Sequence, residues 1–347
     1  MYPDKKNSQY GSFVHNFVNE FLSLGAEINN VVIKKKESNI KKIAAYIVYV
    51  IVCFWKVLFT RYDVIYVHYI NHSLIPFIIL KYFLKKPLIL NAHGGDFFYE
   101  TKGAEFIAKF TSKVIPYATK IVVPSNYFKE ELIKRYHFIE NKIFISPSGG
   151  VNLRKLKKRP QNVSLPLKIG YLGRIDLNKG WDTFINAVSL LKNDNIEVHI
   201  GGSGKELDKL EGLIRKNDVT NLVKLYGYID HNKISDFFKR IDVLVFPSRR
   251  KGESLGLVPI EALACGVPVI ANNNGAANDY LTDTVNGYIY NNDDMEQLKN
   301  KILKFKNLKA NNKIEMSTAA IDSVKKYDSK NISLNLKSII EKIINNA

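Results

Sequence analysis

Residues 253–271 read ESLGLVPIEALACGVPVIA, and the rest of the chain is organised around them. Glu253 opens the stretch in a polar, glycine-containing segment. A short helix is expected from about Leu257, Gly266-Val267-Pro268 ends it, and 269–271 is apolar. Glu253 then lies on the loop before the helix, and Glu261 lies one turn inside it. A helix start presents unpaired backbone N–H groups and the positive end of the dipole. Such a site suits a diphosphate. A carboxylate one turn further on is placed to accept hydrogen bonds from a ribose diol. Two glutamates at this spacing, taken alone, describe a solvated helix with a polar face. Here Pro247-Ser248 stands just before the pair and Cys265-Gly266-Val267-Pro268-Val269 just after it, which argues against that plainer reading.

The segment from Pro247-Ser248 through Glu253, Gly256, Glu261 and Gly266-x-Pro268-Val269 resembles the nucleotide-sugar signature of retaining glycosyltransferases of family 4. That resemblance implies an α/β fold of two Rossmann-like domains, with parallel sheets facing a central cleft (the GT-B architecture). The flanking sequence follows the same order. A strand at 168–172 leads to Gly173-Arg174 and Lys179-Gly180. A helix at 181–191 and a strand at 197–200 lead to Gly201-Gly202-Ser203-Gly204. A strand at 223–226 runs into Gly227-Tyr228-Ile229, and a strand at 242–246 feeds the opening motif. The likeness is strong over 168–290 and looser before 160. The expected division is 1–160 for an acceptor-binding domain and 161–327 for a nucleotide-sugar-binding domain. Residues 328–347 are expected to form a helix crossing back to the first.

Length and composition agree with two domains. The chain has 347 residues, 46% of them hydrophobic, enough for two cores. Cys53 and Cys265 lie in apolar stretches and read as buried thiols of a reducing compartment, not as a disulfide. The formal charge is +18 and is unevenly placed: residues 1–165 carry 25 Lys+Arg against 11 Asp+Glu, or +14, and the remainder 26 against 22, or +4. A basic half suggests an anionic partner for the first domain. No nucleic-acid-binding module or groove helix is present in the sequence, so nucleic acid is set aside. An anionic membrane surface or a phosphate-bearing lipid is expected instead. The Lys-flanked apolar run 43–59 is interrupted by Lys56 and is short for a membrane span. It reads as a core helix, as a basic, aromatic-rich helix lying on a membrane surface, or as both with one face each way. The expected location is cytoplasmic, peripheral on the inner face of the cell membrane.

In the first half, Gly11 opens a helix with apolar residues at helical spacing. Segments 28–33, 63–68, 87–91, 118–124 and 142–145 read as strands, 74–84 and 127–136 as helices, and Ser125 as an N-cap. No strand precedes Gly11, although the resemblance implies one ending where Met1 stands. A gap in the first sheet, or an edge patched by other residues, is therefore expected, through truncation or through loss of that strand. The basic stretch 153–166 reads as a solvated linker. His93-Gly94-Gly95-Asp96 directly follows the strand 87–91, at the strand end where doubly wound folds place ligands. Its His and Asp can hydrogen-bond a sugar hydroxyl or act as acid and base.

The resemblance implies a role for each motif residue. Glu261 would hold the ribose hydroxyls. Arg174 and Lys179 would hold the leaving diphosphate, helped by the N–H groups of Leu257 and Val258, and Glu253 would contact the donor sugar. Gly173, Gly202, Gly204, Gly256 and the backbone at Ile229 would shape the donor site, and Gly11 would let backbone approach the phosphates. His93 would touch the transferred sugar, with Asp96 and His15 on the acceptor side. Asp293-Asp294 reads as a helix cap, and no essential metal or cofactor is expected. The implied reaction moves a sugar from a nucleotide-diphosphate sugar to a hydroxyl of a glycan or lipid-linked acceptor, with retention, in surface polysaccharide or glycolipid biosynthesis. A nucleotide-sugar epimerase on the same architecture is the alternative. A phosphorylase would need a far larger chain with a pyridoxal lysine.

Overall fold

The computed structural model describes residues 2–3, 11–36, 38–99, 101–159 and 165–346. The chain divides into two compact units, Met1–Gly150 with Ser329–Ala347, and Val151–Asp328.

The first unit holds a parallel sheet of β1 (Ile65–His68), β2 (Leu88–Asn91), β3 (Lys120–Val123) and β4 (Ile143–Ile145), in that spatial order. Its helices before Gly150 are α1 (Ser12–Ser23), α2 (Asn39–Phe59), α3 (Phe77–Leu80), α4 (Lys102–Thr111) and α5 (Asn126–Arg135). The two-residue alternation of the strands separates two apolar clusters. Leu88, Leu90, Ile121 and Val123 join Leu74, Phe77 and Phe128 on one face. Ile89 and Val122 join Phe21 on the other. Both faces are covered, as a parallel sheet requires. Ser125 caps α5 as expected, its Oγ accepting from Phe128 N at 3.3 Å.

Three expectations for this unit change. Residues 28–33 form no strand; just beyond them Lys34 makes an isolated bridge to Tyr2. The expected helix 74–84 shrinks to a single 3-10 turn, His72–Leu74, and the short α3, because Pro76 sits between them and cannot donate a backbone bond. Helix α2 has 21 residues and starts four positions before the apolar run, where Ser38 accepts from Lys41 N. It is long and apolar enough to cross a membrane by length and composition. The expected gap before Gly11 falls on residues 4–10, which lie outside the described residues.

The second unit holds six parallel strands, β5 (Leu167–Leu172), β6 (Ile196–Gly201), β7 (Val223–Leu225), β8 (Val243–Phe246), β9 (Val269–Asn272) and β10 (Gly287–Tyr290). Their spatial order is β10-β9-β8-β5-β6-β7. The order reverses between β5 and β8, so the carboxyl ends of these two strands form the crevice where a doubly wound sheet binds its ligand. The helices are α6 (Trp181–Ser189), α7 (Leu207–Lys216), α8 (Ile234–Phe238), α9 (Leu257–Ala264), α10 (Ala277–Tyr280), α11 (Met295–Lys306) and α12 (Ala310–Ser323). Residues before 160, read from sequence as a solvated linker, are part of this unit. Val151 N donates to Tyr327 O at 2.8 Å and Arg159 N to Cys265 O at 2.9 Å, and the Arg159 guanidinium pairs with buried Asp242. The junction accordingly falls at Gly150 and not at 160.

The last helix, α13 (Ser329–Asn345), belongs to the first unit. Its Leu336 and Ile340 pack with Phe21, Ile89 and Val122, and Lys337 Nζ donates to Leu24 O at 2.8 Å. Both cysteines are buried and free.

Candidate active site

The second unit builds a polar centre at its switch point from the loops after β5 and β8. Gly180 brings them together. It has φ +71°, and a Cβ there would lie 1.9 Å from Pro247 O, so only glycine allows the close approach. Arg249 N donates to Asn178 O at 2.9 Å, and the Arg249 guanidinium pairs with Asp182 at 2.6 Å and Asp293 at 2.8 Å. Held in this way, Lys179 Nζ donates to Glu253 Oε2 at 2.6 Å, and Ser248 Oγ donates to the same oxygen at 3.1 Å. Burial alone would raise the Glu253 carboxyl. The Lys179 charge and hydrogen bond, with Arg250 and Ser248, outweigh it and hold the group below its ordinary value. The resting site therefore contains an ionised, compensated pair.

Helix α9 follows directly. Gly256 starts it at φ +75°, and Leu257 and Val258 are its first two residues, ahead of Pro259. Glu261 is 4% exposed. Among the described residues its carboxyl group accepts no hydrogen bond, and His231 Nδ1 lies 3.6 Å from it. Burial pushes its carboxyl up to about 8. A buried carboxylate without donors is costly, and a ligand diol would supply them.

Other expected donor-site residues are placed differently. Arg174 is 61% exposed and pairs with Asp176 at 3.0 Å, so the structure gives Lys179 and Arg174 different carboxylates. Gly202 and Gly204 have a packing reason. A Cβ at Gly202 would meet Gly173 O at 1.8 Å, and one at Gly204 would meet Ile175 O at 2.2 Å. Gly173 N donates to Gly201 O, Ile175 N to Ser203 O and Gly202 N to Gly227 O, lacing the loops after β5, β6 and β7 together. A Cβ at Gly173 itself would make only an ordinary contact with Tyr171. Ile229 lies against Gly201, which has no side chain to displace it. Asp294 caps α11, whereas Asp293 accepts from Thr183 Oγ at 2.6 Å and pairs with Arg249.

The first unit has a polar centre of its own at the ends of β1 and β2. His93 Nε2 lies 3.0 Å from His68 Nδ1, with the rings stacked at 5.3 Å. Phe13 packs on His93 at 4.3 Å and Phe17 on His68 at 4.6 Å. Burial pushes His68 well down and His93 down to about 3, so the pair is neutral. Asp96, expected on the acceptor side, is 2% exposed and serves the backbone. It accepts from His93 N at 2.9 and 3.0 Å and from Ile70 N at 2.8 Å, tying together the loops after β1 and β2. Burial, opposed by these bonds, raises its carboxyl to about 6. His15 bonds Tyr2 OH at 2.9 Å and Asn19 Nδ2 at 3.0 Å; the α1 residue that meets His93 is Phe13. Gly11 precedes α1 at φ +74°. His68 was not singled out from sequence, and its signal was its place at the end of strand 63–68. Ser248 was quoted within the signature but given no role, and Arg249 was missed, although both lie within three residues of the end of the strand 242–246.

Comparison with known proteins agrees with this fold. The family described as "Glycosyl transferases group 1" matches residues 154–326, and "Glycosyltransferase Family 4" matches 17–152. An uncharacterized 41.2 kDa protein in the cps region of Klebsiella pneumoniae is 27% identical over 253 residues, covering 69% of this chain and 68% of that protein. Two further curated relatives are matched over 66% and 62% of their own length, so the chain spans about two thirds of these proteins. Sucrose-phosphate synthase from Thermosynechococcus elongatus has the same fold, with TM-score 0.78 at 19% identity, covering 97% of this chain and 94% of that one. Anabaena HepE, solved in complex with UDP and glucose, gives TM-score 0.70 at 18% identity over 88% and 83% of the two chains. Two parallel-sheet α/β units with a polar centre at the switch point of the second define a glycosyltransferase of the GT-B class. The chain belongs to the group 1, or family 4, glycosyltransferases.

Proposed function

We propose that this protein is a retaining transferase that moves a sugar from a nucleoside-diphosphate sugar to a hydroxyl of a glycan or lipid-linked acceptor, in the synthesis of a surface polysaccharide or glycolipid. The observation that carries the reading is Glu261: a buried carboxyl group that meets no hydrogen-bond donor among the described residues, one turn into a helix whose first N–H groups follow Glu253. A ribose diol satisfies the carboxylate, and a diphosphate suits the helix start and Lys179. The UDP and glucose bound to HepE and the cps-region setting of the Klebsiella protein support the substrate class.

As the bond from the anomeric carbon to the phosphate oxygen breaks, negative charge collects on the departing diphosphate. Lys179 and the α9 N–H groups of Leu257 and Val258 stabilise that charge. The acceptor hydroxyl attacks the same face of the oxocarbenium-like sugar, and its proton passes to the departing phosphate. Glu253 orients the sugar and, in the resting site, holds Lys179. His93 is the first unit's candidate for a contact to the transferred sugar.

The test is donor turnover by the purified chain with UDP- and GDP-sugars, with and without lipid-linked and oligosaccharide acceptors, and with product configuration read by NMR. Acceptor-dependent turnover with the donor's anomeric configuration kept is the expected result. Inverted product would exclude retention. Conversion of donor sugar without acceptor would establish an epimerase instead.

A further inference from the structure

Helix α2 carries an apolar stripe that none of the described residues covers. Ile40, Ile43, Ile47, Ile51, Trp55 and Phe59 recur at three- and four-residue spacing, and all are exposed, Trp55 by 58% and Phe59 by 74%. In water such a stripe is unfavourable, and scattered exposure does not explain a continuous one of this length. The opposite stripe is engaged. Cys53 is buried in the core with Val67 and Leu74, Tyr49 OH donates to Ser73 O at 2.9 Å, and Lys56 Nζ bonds Asn29 Oδ1. The surroundings are cationic. Between residues 34 and 61 the sequence has seven basic residues and one acidic. Helix α4 packs beside the same 72–74 turn and adds the exposed Phe106 and Phe110.

We propose that α2 is an in-plane membrane helix. Its outer stripe enters the headgroup and upper acyl region of an anionic bilayer, and its inner stripe stays on the first unit's sheet. Charge complementarity selects the occupant: basic residues flanking an apolar stripe match anionic headgroups over hydrocarbon. The length of about 30 Å would also allow crossing. Crossing, however, would strip Cys53 and Tyr49 from the core and bury Lys56 in hydrocarbon. The proposal stands apart from the donor chemistry, and its readout is vesicle binding, not catalysis.

The experiment is flotation of the full chain with phosphatidylcholine vesicles, with and without phosphatidylglycerol, at low and high salt. Trp55 emission is followed in parallel; the other tryptophan, Trp181, is buried. Wild type is expected to float with anionic vesicles, to do so less at high salt, and to show a blue shift. The triple variant Ile43→Glu, Ile47→Glu, Ile51→Glu should lose partitioning on the order of tenfold or more. Lys41→Glu with Lys42→Glu should lose chiefly the low-salt binding. Unchanged thermal unfolding and unchanged UDP binding show that the variants are folded. Flotation of the triple variant equal to wild type, or no blue shift, would overturn the idea. Resistance to alkaline carbonate extraction would mean a span. A dimer that the triple variant makes monomeric, without vesicle binding, would mean that a second copy covers the stripe.

Discussion

In the second unit Lys179 Nζ lies 2.6 Å from Glu253 Oε2, at the point where the sheet's strand order reverses. The cation proposed for the leaving diphosphate is thus already matched by a carboxylate before any ligand arrives. An incoming diphosphate must share Lys179 or draw it from Glu253, and the charge matters most as the phosphate departs. Lys179→Ala is expected to lower kcat on the order of 10²-fold at saturating donor. Arg174→Ala, whose guanidinium is exposed and held by Asp176, should act mainly on KM. A raised KM with kcat near wild type for Lys179→Ala would remove Lys179 from the chemical step.

The partner half of the pair gives the opposite signature. Glu253→Gln releases Lys179, so UDP should bind more tightly while kcat falls, because the sugar contact is weakened. Titration calorimetry with UDP and steady-state rates separate the two effects. Weaker UDP binding in this variant would mean that Glu253 holds the loop and does not restrain the cation.

Glu261 makes folding and binding pH-dependent. Its carboxyl sits at about 8 in the folded chain against 4.5 when free, so the native state keeps a proton that the unfolded chain loses. Stability should therefore fall as pH rises from 4.5 toward 8. Glu261→Gln should raise Tm at pH 8 by roughly 3 °C or more, with the gap closing near pH 5. Bound nucleotide donates hydroxyls to the ionised form, so UDP binding at pH 7 should release about one proton. Calorimetry in two buffers of different ionisation enthalpy measures it. No proton release, with UDP bound, would place the ribose elsewhere.

Burial holds the His68–His93 pair neutral, with His93 down to about 3. The rate should show no titration from these groups between pH 5 and 8. His68→Ala frees Nε2 of His93 and should lower kcat with little change in donor KM, since the proposed donor site lies in the second unit. A new inflection near pH 6 in this variant would show that His68 sets the state of His93. A change confined to donor KM would argue against the proposed sugar contact.

Asp96 should prove structural. Asp96→Ala leaves the N–H groups of Ile70 and His93 without an acceptor and should cost about 2–3 kcal/mol of stability. Chemical denaturation is the measurement, and UDP affinity should stay unchanged in the same samples.

The class was legible in the sequence because the proposed donor site is built locally. Glu253, Gly256, Leu257 and Glu261 sit on one loop and the helix it feeds, so spacing alone places two carboxylates around a helix start. The strand-to-loop order from 168 to 246 was legible for the same reason: buried parallel strands are short apolar runs that end at ligand loops. Tertiary structure alone decided which groups meet. Lys179 and Glu253 are 74 positions apart and touch only because Gly180 lets one loop rest on Pro247. His68 and His93 pair because β1 and β2 lie in register, with His68 opposite Asn91. Asp96 reads from sequence as an acceptor-side residue, and only the fold shows that two backbone N–H groups, of Ile70 and His93, donate to it. A sequence records which side chains carry charge, but which charges are neutralised by a neighbour and which stay unpaired for a ligand depends on contacts between residues far apart in the chain.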